Sequence, residues 1–176
     1  MTAPLLLKGL PGSPYTRKML AILRYRHIDY HLLFPGSARL NDLPRPRVEL
    51  LPTFFLPNAA GAIEAVTDST PLLRRFENLF PGPRVRPLDP VVRFIDSVIE
   101  DYGDEWLTKA MFHYRWHYAA DIAKSAAILL RWRNLAASDA LAAESGAQFS
   151  ERQINRLHFV GSNPTTEHSP ISSMLR

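Results

Sequence analysis

The chain has 176 residues, of which 46% are hydrophobic, so it can form one large packed domain or two small ones. It contains no cysteine, which excludes disulfides, cysteine nucleophiles and thiolate metal sites. The net charge of +4 comes from scattered arginines rather than from one basic stretch, so we expect no nucleic-acid partner and favour a small anionic ligand.

The N-terminal residues do not have the pattern of a secretory signal. The apolar run at residues 5–7 is only three leucines long, and Lys8 follows it instead of preceding it. No stretch approaches the ~20 apolar residues that a membrane span needs. The sequence therefore predicts a cytoplasmic protein with no membrane partner.

The first eighty residues have the pattern of an α/β domain. Residues 4–10 (PLLLKGL) and 29–34 (DYHLLF) are predicted strands, and residues 14–26 between them are a predicted helix with Pro14 at its first position. This βαβ order predicts parallel strands. The prolines at positions 44 and 46 predict a short or irregular helix within residues 35–50.

The next segment predicts an antiparallel hairpin followed by a helix. The runs TFFL and AIEAVT are joined by PNAAG, a turn sequence with asparagine and glycine. The run PLLRRFENLF is predicted to be a helix that Pro71 starts and that Pro81 and Gly82 end. Together these elements predict a compact α/β layer with a mixed sheet.

The rest of the chain has a helical pattern. Residues 81–90 are rich in proline and predict a semi-rigid linker. Apolar residues recur at helical spacing from Leu88 to Trp106, and an alanine-rich helix is predicted over about 118–142. A third helix is predicted to begin near SERQ (150–153), whose serine and glutamine have the spacing of a capping box.

Two serines precede predicted helices and allow two interpretations. Ser13 stands directly before Pro14, and Ser69 follows Asp68 ahead of the helix at Pro71. Ser13 can serve as an N-cap, and Asp68, Ser69 and Thr70 can form a capping cluster; this is the interpretation that residue preference favours. The same geometry also suits an anionic ligand, because a helix N-terminus carries partial positive charge and unpaired N–H groups.

A histidine-containing pattern in the second half has the spacing of a possible metal site. His113, His117 and Asp121 are spaced i, i+4 and i+8, which would place them on one helix face. A glutamate base and a convincing fourth ligand are lacking, so we expect no metal there. Packing of an aromatic-rich helix explains these residues better.

Four stretches, in this order, resemble the glutathione transferase family: GSPYTRK (12–18), LPTF (51–54), VTDST (66–70) and DYGDEWLTKAMFHYRW (101–116). The resemblance runs from about Leu5 to Thr166. It implies an α/β plus all-α fold, with a thioredoxin-like glutathione-binding domain at 1–80, a linker at 81–90 and a helical-bundle domain at 91–166.

The resemblance implies a role for each residue of the first domain that matches a family motif. Ser13 would stabilise the thiolate of bound glutathione, with Thr16 as the alternative hydroxyl. A cis peptide bond before Pro52 would leave the backbone N–H and C=O of Leu51 free to pair with the cysteinyl unit.

The same resemblance assigns the γ-glutamyl end of glutathione to Asp68 and Ser69. Asp68 would engage the α-amino group, and Ser69 would hold the carboxylate at the helix end. The glycine carboxylate of glutathione would need a basic or polar partner. Arg39, Arg45 and Arg47 lie in the relevant segment, but the motif selects none of them.

The implied activity is conjugation of glutathione to small hydrophobic electrophiles, a detoxification reaction. Glutathione would be the co-substrate, no other cofactor and no metal would be needed, and a homodimer is compatible with the family. The alternative is a non-catalytic glutathione-binding or partner-docking module.

The end of the chain departs from the family pattern. VGSNPTT (160–166) resembles a loop that opens a core helix, but EHSPISSMLR (167–176) follows it without an apolar stripe. We therefore expect an incomplete helical domain followed by an unrelated tail at 167–176.

Overall fold

The computed structural model describes residues 3–163. The chain divides into two compact units, and the division falls between Pro87 and Leu88. The first unit contains four strands and two α-helices within the described residues: β1 (Leu5–Lys8), α1 (Pro14–Tyr25), β2 (Tyr30–Leu33), β3 (Thr53–Pro57), β4 (Ile63–Val66) and α2 (Ser69–Leu79). A 3-10 turn at Ala38–Leu40 is the short helix predicted between β2 and β3.

The four strands form one mixed sheet in the order β2-β1-β3-β4. β1 is parallel to β2, and the pairs β1–β3 and β3–β4 are antiparallel. The predicted βαβ unit and hairpin are therefore both present, and the fold class is confirmed: a thioredoxin-like sheet followed by a helical region.

The core of the first unit joins both helices to the central strands. Leu7 of β1, Met19 and Leu23 of α1, Phe54 of β3 and Phe76 of α2 are fully buried in one cluster. The rings of Phe54 and Phe76 meet edge to face with centroids 5.0 Å apart. This packing fixes the two helices relative to the sheet and so fixes where their N-termini lie.

A buried arginine, Arg26, binds carbonyl groups at the C-terminal end of α2, and no sequence pattern indicated this contact. The Arg26 side chain is 2% exposed, and its guanidinium donates to the carbonyls of Phe76, Phe80 and Pro83. The carbonyls at a helix C-terminus lack intrahelical partners, so a cation there satisfies them and complements the helix dipole.

The second unit is helical within the described residues. Its elements are α3 (Pro90–Asp101), α4 (Thr108–Trp116), α5 (Ala119–Arg133), α6 (Asp139–Ile154) and a 3-10 turn at Leu157–Val160. A π-helical segment at Tyr102–Leu107 joins α3 to α4, so the two form one long helical stretch. The largest packed contact within the unit is between α5 and α6.

Two helix predictions for this unit are wrong. The single helix predicted over 118–142 is two helices, separated by a turn in which the side chain of Asn134 accepts from the N–H of Ala136. The capping box predicted at 150–153 lies inside α6, where the Ser150 hydroxyl donates back to the Gly146 carbonyl. The helix is capped by Ser138, whose Oγ accepts from the N–H of Leu141.

The histidine pattern does not lie on one helix face, because α4 ends at Trp116 and α5 begins at Ala119. The rings of His113 and His117 stack with centroids 4.6 Å apart. His113 Nδ1 lies 2.8 Å from Ser162 Oγ. Among residues 3–163, no three His, Cys, Asp or Glu side chains are grouped so that they could hold a metal ion.

Over the described part of the chain, every helix is too short or too polar to cross a membrane. The predicted tail at 167–176 lies outside the described residues.

Candidate functional site

Ser13 is the N-cap of α1. Its backbone is extended, its Oγ accepts from the N–H of Thr16 at 3.2 Å, and Pro14 occupies the first turn. The first turn of α1 contains no acidic residue, so no side chain of the helix neutralises its positive end. The Ser13 hydroxyl also donates to the Leu51 carbonyl at 3.4 Å, which is a long hydrogen bond.

The alternative hydroxyl, Thr16, is fully buried. Its Oγ1 accepts from the N–H of Leu10 at 3.4 Å and thereby ties the loop after β1 to the helix. A Cβ at Gly9 would lie 2.7 Å from Thr16 Cγ2, so the loop needs glycine at that position. Of the two hydroxyls, the partly exposed Ser13 is the one that a ligand can reach.

Leu51 precedes β3, and its peptide bond to Pro52 is cis, as the resemblance implied. The neighbouring Leu50 carbonyl accepts from Thr53 Oγ1 at 2.7 Å. Among residues 3–163 the N–H of Leu51 has no hydrogen-bond acceptor, and the Ser13 contact is the one that its carbonyl receives. Both backbone groups are therefore available to an extended peptide.

Asp68 is the N-cap of α2, and its side chain accepts from the N–H of Thr70 at 3.3 Å. Its φ is +81°, a left-handed value that is strained for any residue with a Cβ. The helix begins at the buried Ser69, two residues before the predicted start, because Pro71 is tolerated within a first turn. Like α1, α2 has no acidic residue in its first turn.

The strand register places these positions at one end of the sheet. Lys8, the last residue of β1, pairs with Thr53, the first residue of β3. Phe54 pairs with Val66, the last residue of β4. The loop to Ser13, the Leu51–Pro52 peptide and the start of α2 therefore emerge from the same end of neighbouring strands, and Ser13 directly contacts Leu51.

An ion pair beside this region was not predicted. Lys8 Nζ lies 2.6 Å from Glu49 Oε2. The two residues are 41 apart in sequence, so no local pattern could have indicated their contact. Arg39, Arg45 and Arg47 are all exposed, so burial does not single out one of them as a partner for the glycine carboxylate.

Residues 7–84 match the family model described as "Glutathione S-transferase, N-terminal domain". The first unit of this chain therefore contains a glutathione S-transferase N-terminal domain. The matched range contains every residue that the resemblance assigned to a glutathione S-transferase site: Ser13, Leu51, Pro52, Asp68 and Ser69.

Solved structures similar to the whole chain are also glutathione transferases or bind a glutathione derivative, at low identity. A glutathione transferase homologue from Burkholderia, with bound glutathione, has 12% identity and a TM-score of 0.45, with coverage of 98% of this chain and 99% of that one. A serine-to-cysteine mutant of a poplar glutathione transferase has 15% identity and a TM-score of 0.48, with coverage of 98% of each chain.

A third similar structure is that of a maleylacetoacetate isomerase from Anaeromyxobacter dehalogenans, with bound dicarboxyethyl glutathione and citrate in its active site. It has 15% identity and a TM-score of 0.48, with coverage of 98% of this chain and 83% of that one. No curated protein matches the chain. The family assignment therefore rests on residues 7–84.

Proposed function

We propose that this chain binds glutathione at the end of the sheet between Ser13, Leu51 and the start of α2, and conjugates it to small hydrophobic electrophiles. The observation that carries the proposal is the position of the Ser13 hydroxyl. It lies at the unneutralised N-terminus of α1, 3.4 Å from a backbone carbonyl suited to the cysteinyl unit of glutathione.

Glutathione would bind by its backbone and by its γ-glutamyl end. The N–H and C=O of Leu51 would pair with the cysteinyl unit as an added strand pairs with an edge. The carboxylate of Asp68 would accept from the α-amino group, in a charge-assisted hydrogen bond. The hydroxyl and the backbone N–H of Ser69, at the start of α2, would hold the γ-glutamyl carboxylate.

Activation of the thiol follows from the electrostatics of the α1 N-terminus. A free thiol has a pKa of about 8.5, and a helix N-terminus lowers it by favouring the thiolate. The Ser13 hydroxyl would turn from the Leu51 carbonyl to the sulfur and donate to it. The thiol proton leaves to solvent, and the thiolate attacks carbon to form a C–S bond. In displacement, the leaving group departs with the electron pair of its bond; in addition, the electron pair of the broken π bond takes up a proton from solvent.

One observation favours the second candidate, a glutathione-binding module without catalysis. In this structure the Ser13 hydroxyl donates to the Leu51 carbonyl and accepts from the N–H of Thr16. If the hydroxyl keeps both contacts when glutathione is bound, the thiolate receives no hydrogen bond from Ser13 and is stabilised by the helix N-terminus alone. Binding would then persist with little activation.

The variant Ser13→Ala tests the proposal. We expect conjugation turnover to fall by roughly tenfold or more, because the hydrogen-bond donor to the negatively charged sulfur is lost. Ser138→Ala is the matched control, since it removes a comparable serine cap from α6. Turnover that is unchanged in a folded Ser13→Ala variant would contradict the catalytic role, and retention on glutathione without turnover would favour the binding module.

A further inference from the structure

Lys8 and Glu49 join the end of β1 to the segment that leads into the proposed glutathione site. Lys8 Nζ lies 2.6 Å from Glu49 Oε2, which is a short charge-assisted hydrogen bond. The Lys8 side chain is only 16% exposed, while Glu49 is 63% exposed. The ammonium is therefore largely shielded from water and depends on Glu49 for a charged partner.

The segment at residues 41–52 has no helix or strand to hold it in place. Its last residues are joined to the rest of the unit by side chains. These are the Lys8–Glu49 pair, the bond from Thr53 Oγ1 to the Leu50 carbonyl at 2.7 Å, and the longer contact from Ser13 to the Leu51 carbonyl. Glu49 lies two residues before Leu51, whose N–H and C=O would form hydrogen bonds with glutathione.

We propose that Lys8 and Glu49 are positioning residues for glutathione binding, which hold the Leu51 backbone in its binding conformation without touching the ligand. This inference rests on the proposed function. When the pair is broken, residues 49–51 gain conformations that cannot pair with the peptide. The apparent Kd for glutathione then equals the intrinsic Kd divided by the fraction of molecules in which Leu51 keeps its binding conformation.

Calorimetric titration of the full chain with glutathione tests the pair through the variants Lys8→Met, Glu49→Gln and the double variant. A partly exposed ion pair has a coupling that corresponds to roughly a two- to fivefold change, so each single variant should raise the Kd by about that factor. The double variant should bind no more weakly than either single variant, because both remove the same interaction. Exchange of the two charges, Lys8→Glu with Glu49→Lys, should restore part of the affinity.

Glu64→Gln is the matched control. It breaks the ion pair of Glu64 with Arg75, whose Nη1–Oε1 distance is 3.0 Å, at the far end of the β3–β4 hairpin. A similar pair is lost there, but Leu51 is not touched, so the Kd for glutathione should stay unchanged. A purely stabilising role of Lys8 and Glu49 would likewise leave the Kd of the folded variants unchanged.

The outcomes separate this inference from the function on which it rests. Tight binding by the wild-type chain with unchanged Kd in both single variants overturns the positioning role alone. Weakening by Lys8→Met but not by Glu49→Gln also overturns it, because Lys8 would then act on the ligand directly. If the folded wild-type chain does not bind glutathione, the proposed function itself fails. The exposed Glu49 makes Glu49→Gln the variant expected to stay folded if Lys8→Met does not.

Discussion

Two residues at helix starts, Ser13 and Asp68, each cap a helix, and both belong to the proposed glutathione site. Ser13 Oγ caps α1 and Asp68 caps α2, so a cap preference alone explains both residue types. The φ of +81° at Asp68 is different, because a cap does not require it. Strained backbone of this kind clusters at binding sites, and this supports a ligand-binding role for Asp68.

Asp68→Asn should separate the cap from the binding role. Asparagine keeps a side-chain acceptor and adopts positive φ about as readily as aspartate does, so the free energy of unfolding should change little. The Kd for glutathione should rise by roughly tenfold or more, since a charge-assisted bond to the α-amino group is lost. Calorimetry and urea unfolding measure the two quantities.

Asp89→Asn is the control for Asp68→Asn. Asp89 caps α3 by accepting from Val91 and Val92, and it has no part in the proposed site. Asp89→Asn should therefore leave the Kd for glutathione unchanged. Equal glutathione affinity in Asp68→Asn and the wild-type chain would contradict the assignment of Asp68 to the α-amino group.

At the scale of elements, sequence patterns predict the strands and helices of the α/β half of the fold, but they predict the helices of the second half only in part. The period-2 and period-3.6 patterns of the first unit coincide with turn and proline signals, so strand and helix types were unambiguous. In the second unit, alanine-rich α5 and α6 have weak periodicity. Ser138 and Ser150 both suit a cap, and only tertiary packing makes Ser138 the cap and leaves Ser150 inside α6.

Sequence patterns do not indicate the contacts of residues whose partners are distant in the chain. Arg26 contacts carbonyls 50 to 57 residues away, and Lys8 meets Glu49 across 41 residues. A lone charged residue gives no sign of such a partner. The proposed binding positions Leu51 and Ser69, in contrast, follow from the resemblance to a family motif and not from local chemistry.

Glu77 of α2 binds the segment that follows the helix. Its Oε1 accepts from the N–H groups of Val85 and Arg86 at 2.8 and 2.9 Å. Burial by itself raises the pKa of Glu77. The two N–H donors and the charges of Arg84 and Arg86 outweigh burial, so the pKa lies below its ordinary value of 4.5.

The lowered pKa of Glu77 makes the stability of the chain depend on pH. The carboxylate contributes stability above pH 4.5, and this contribution is lost as the pH falls through the lower pKa of the folded state. Glu77→Gln should reduce the free energy of unfolding by about 1 kcal/mol at pH 7, and the difference should shrink toward pH 3. Urea unfolding at both pH values measures it.

Glu144→Gln, which removes an exposed carboxylate from α6, is the control for Glu77→Gln. It should leave the unfolding midpoint within error at both pH values. A difference between wild type and Glu77→Gln that grows as the pH falls would contradict the proposed linkage.

At the scale of the whole molecule, α3 stands out for its exposed apolar residues. Phe94 is 70% exposed, and five further apolar side chains of the same helix are at least half exposed: Val91, Val92, Ile95, Val98 and Ile99. Apolar patches of this kind favour association. We therefore expect the chain to self-associate in a concentration-dependent manner.

Phe94→Glu should weaken that self-association by roughly tenfold or more, because it replaces a large apolar contact with a charge. Sedimentation across a range of protein concentrations measures the effect. Phe159→Glu is the control, since Phe159 is 73% exposed but lies outside α3. A wild-type chain that stays monomeric at every concentration, or equal weakening by both variants, would contradict the role of α3.

The most direct test of the whole account is the pKa of the glutathione thiol when it is bound to this chain, followed by ultraviolet absorbance of the thiolate across pH. We predict a value at least about one unit below the ~8.5 of a free thiol, a shift reduced in Ser13→Ala and preserved in Ser138→Ala. A bound thiol that ionises at the same pH as free glutathione would contradict thiolate stabilisation by Ser13 and the N-terminus of α1.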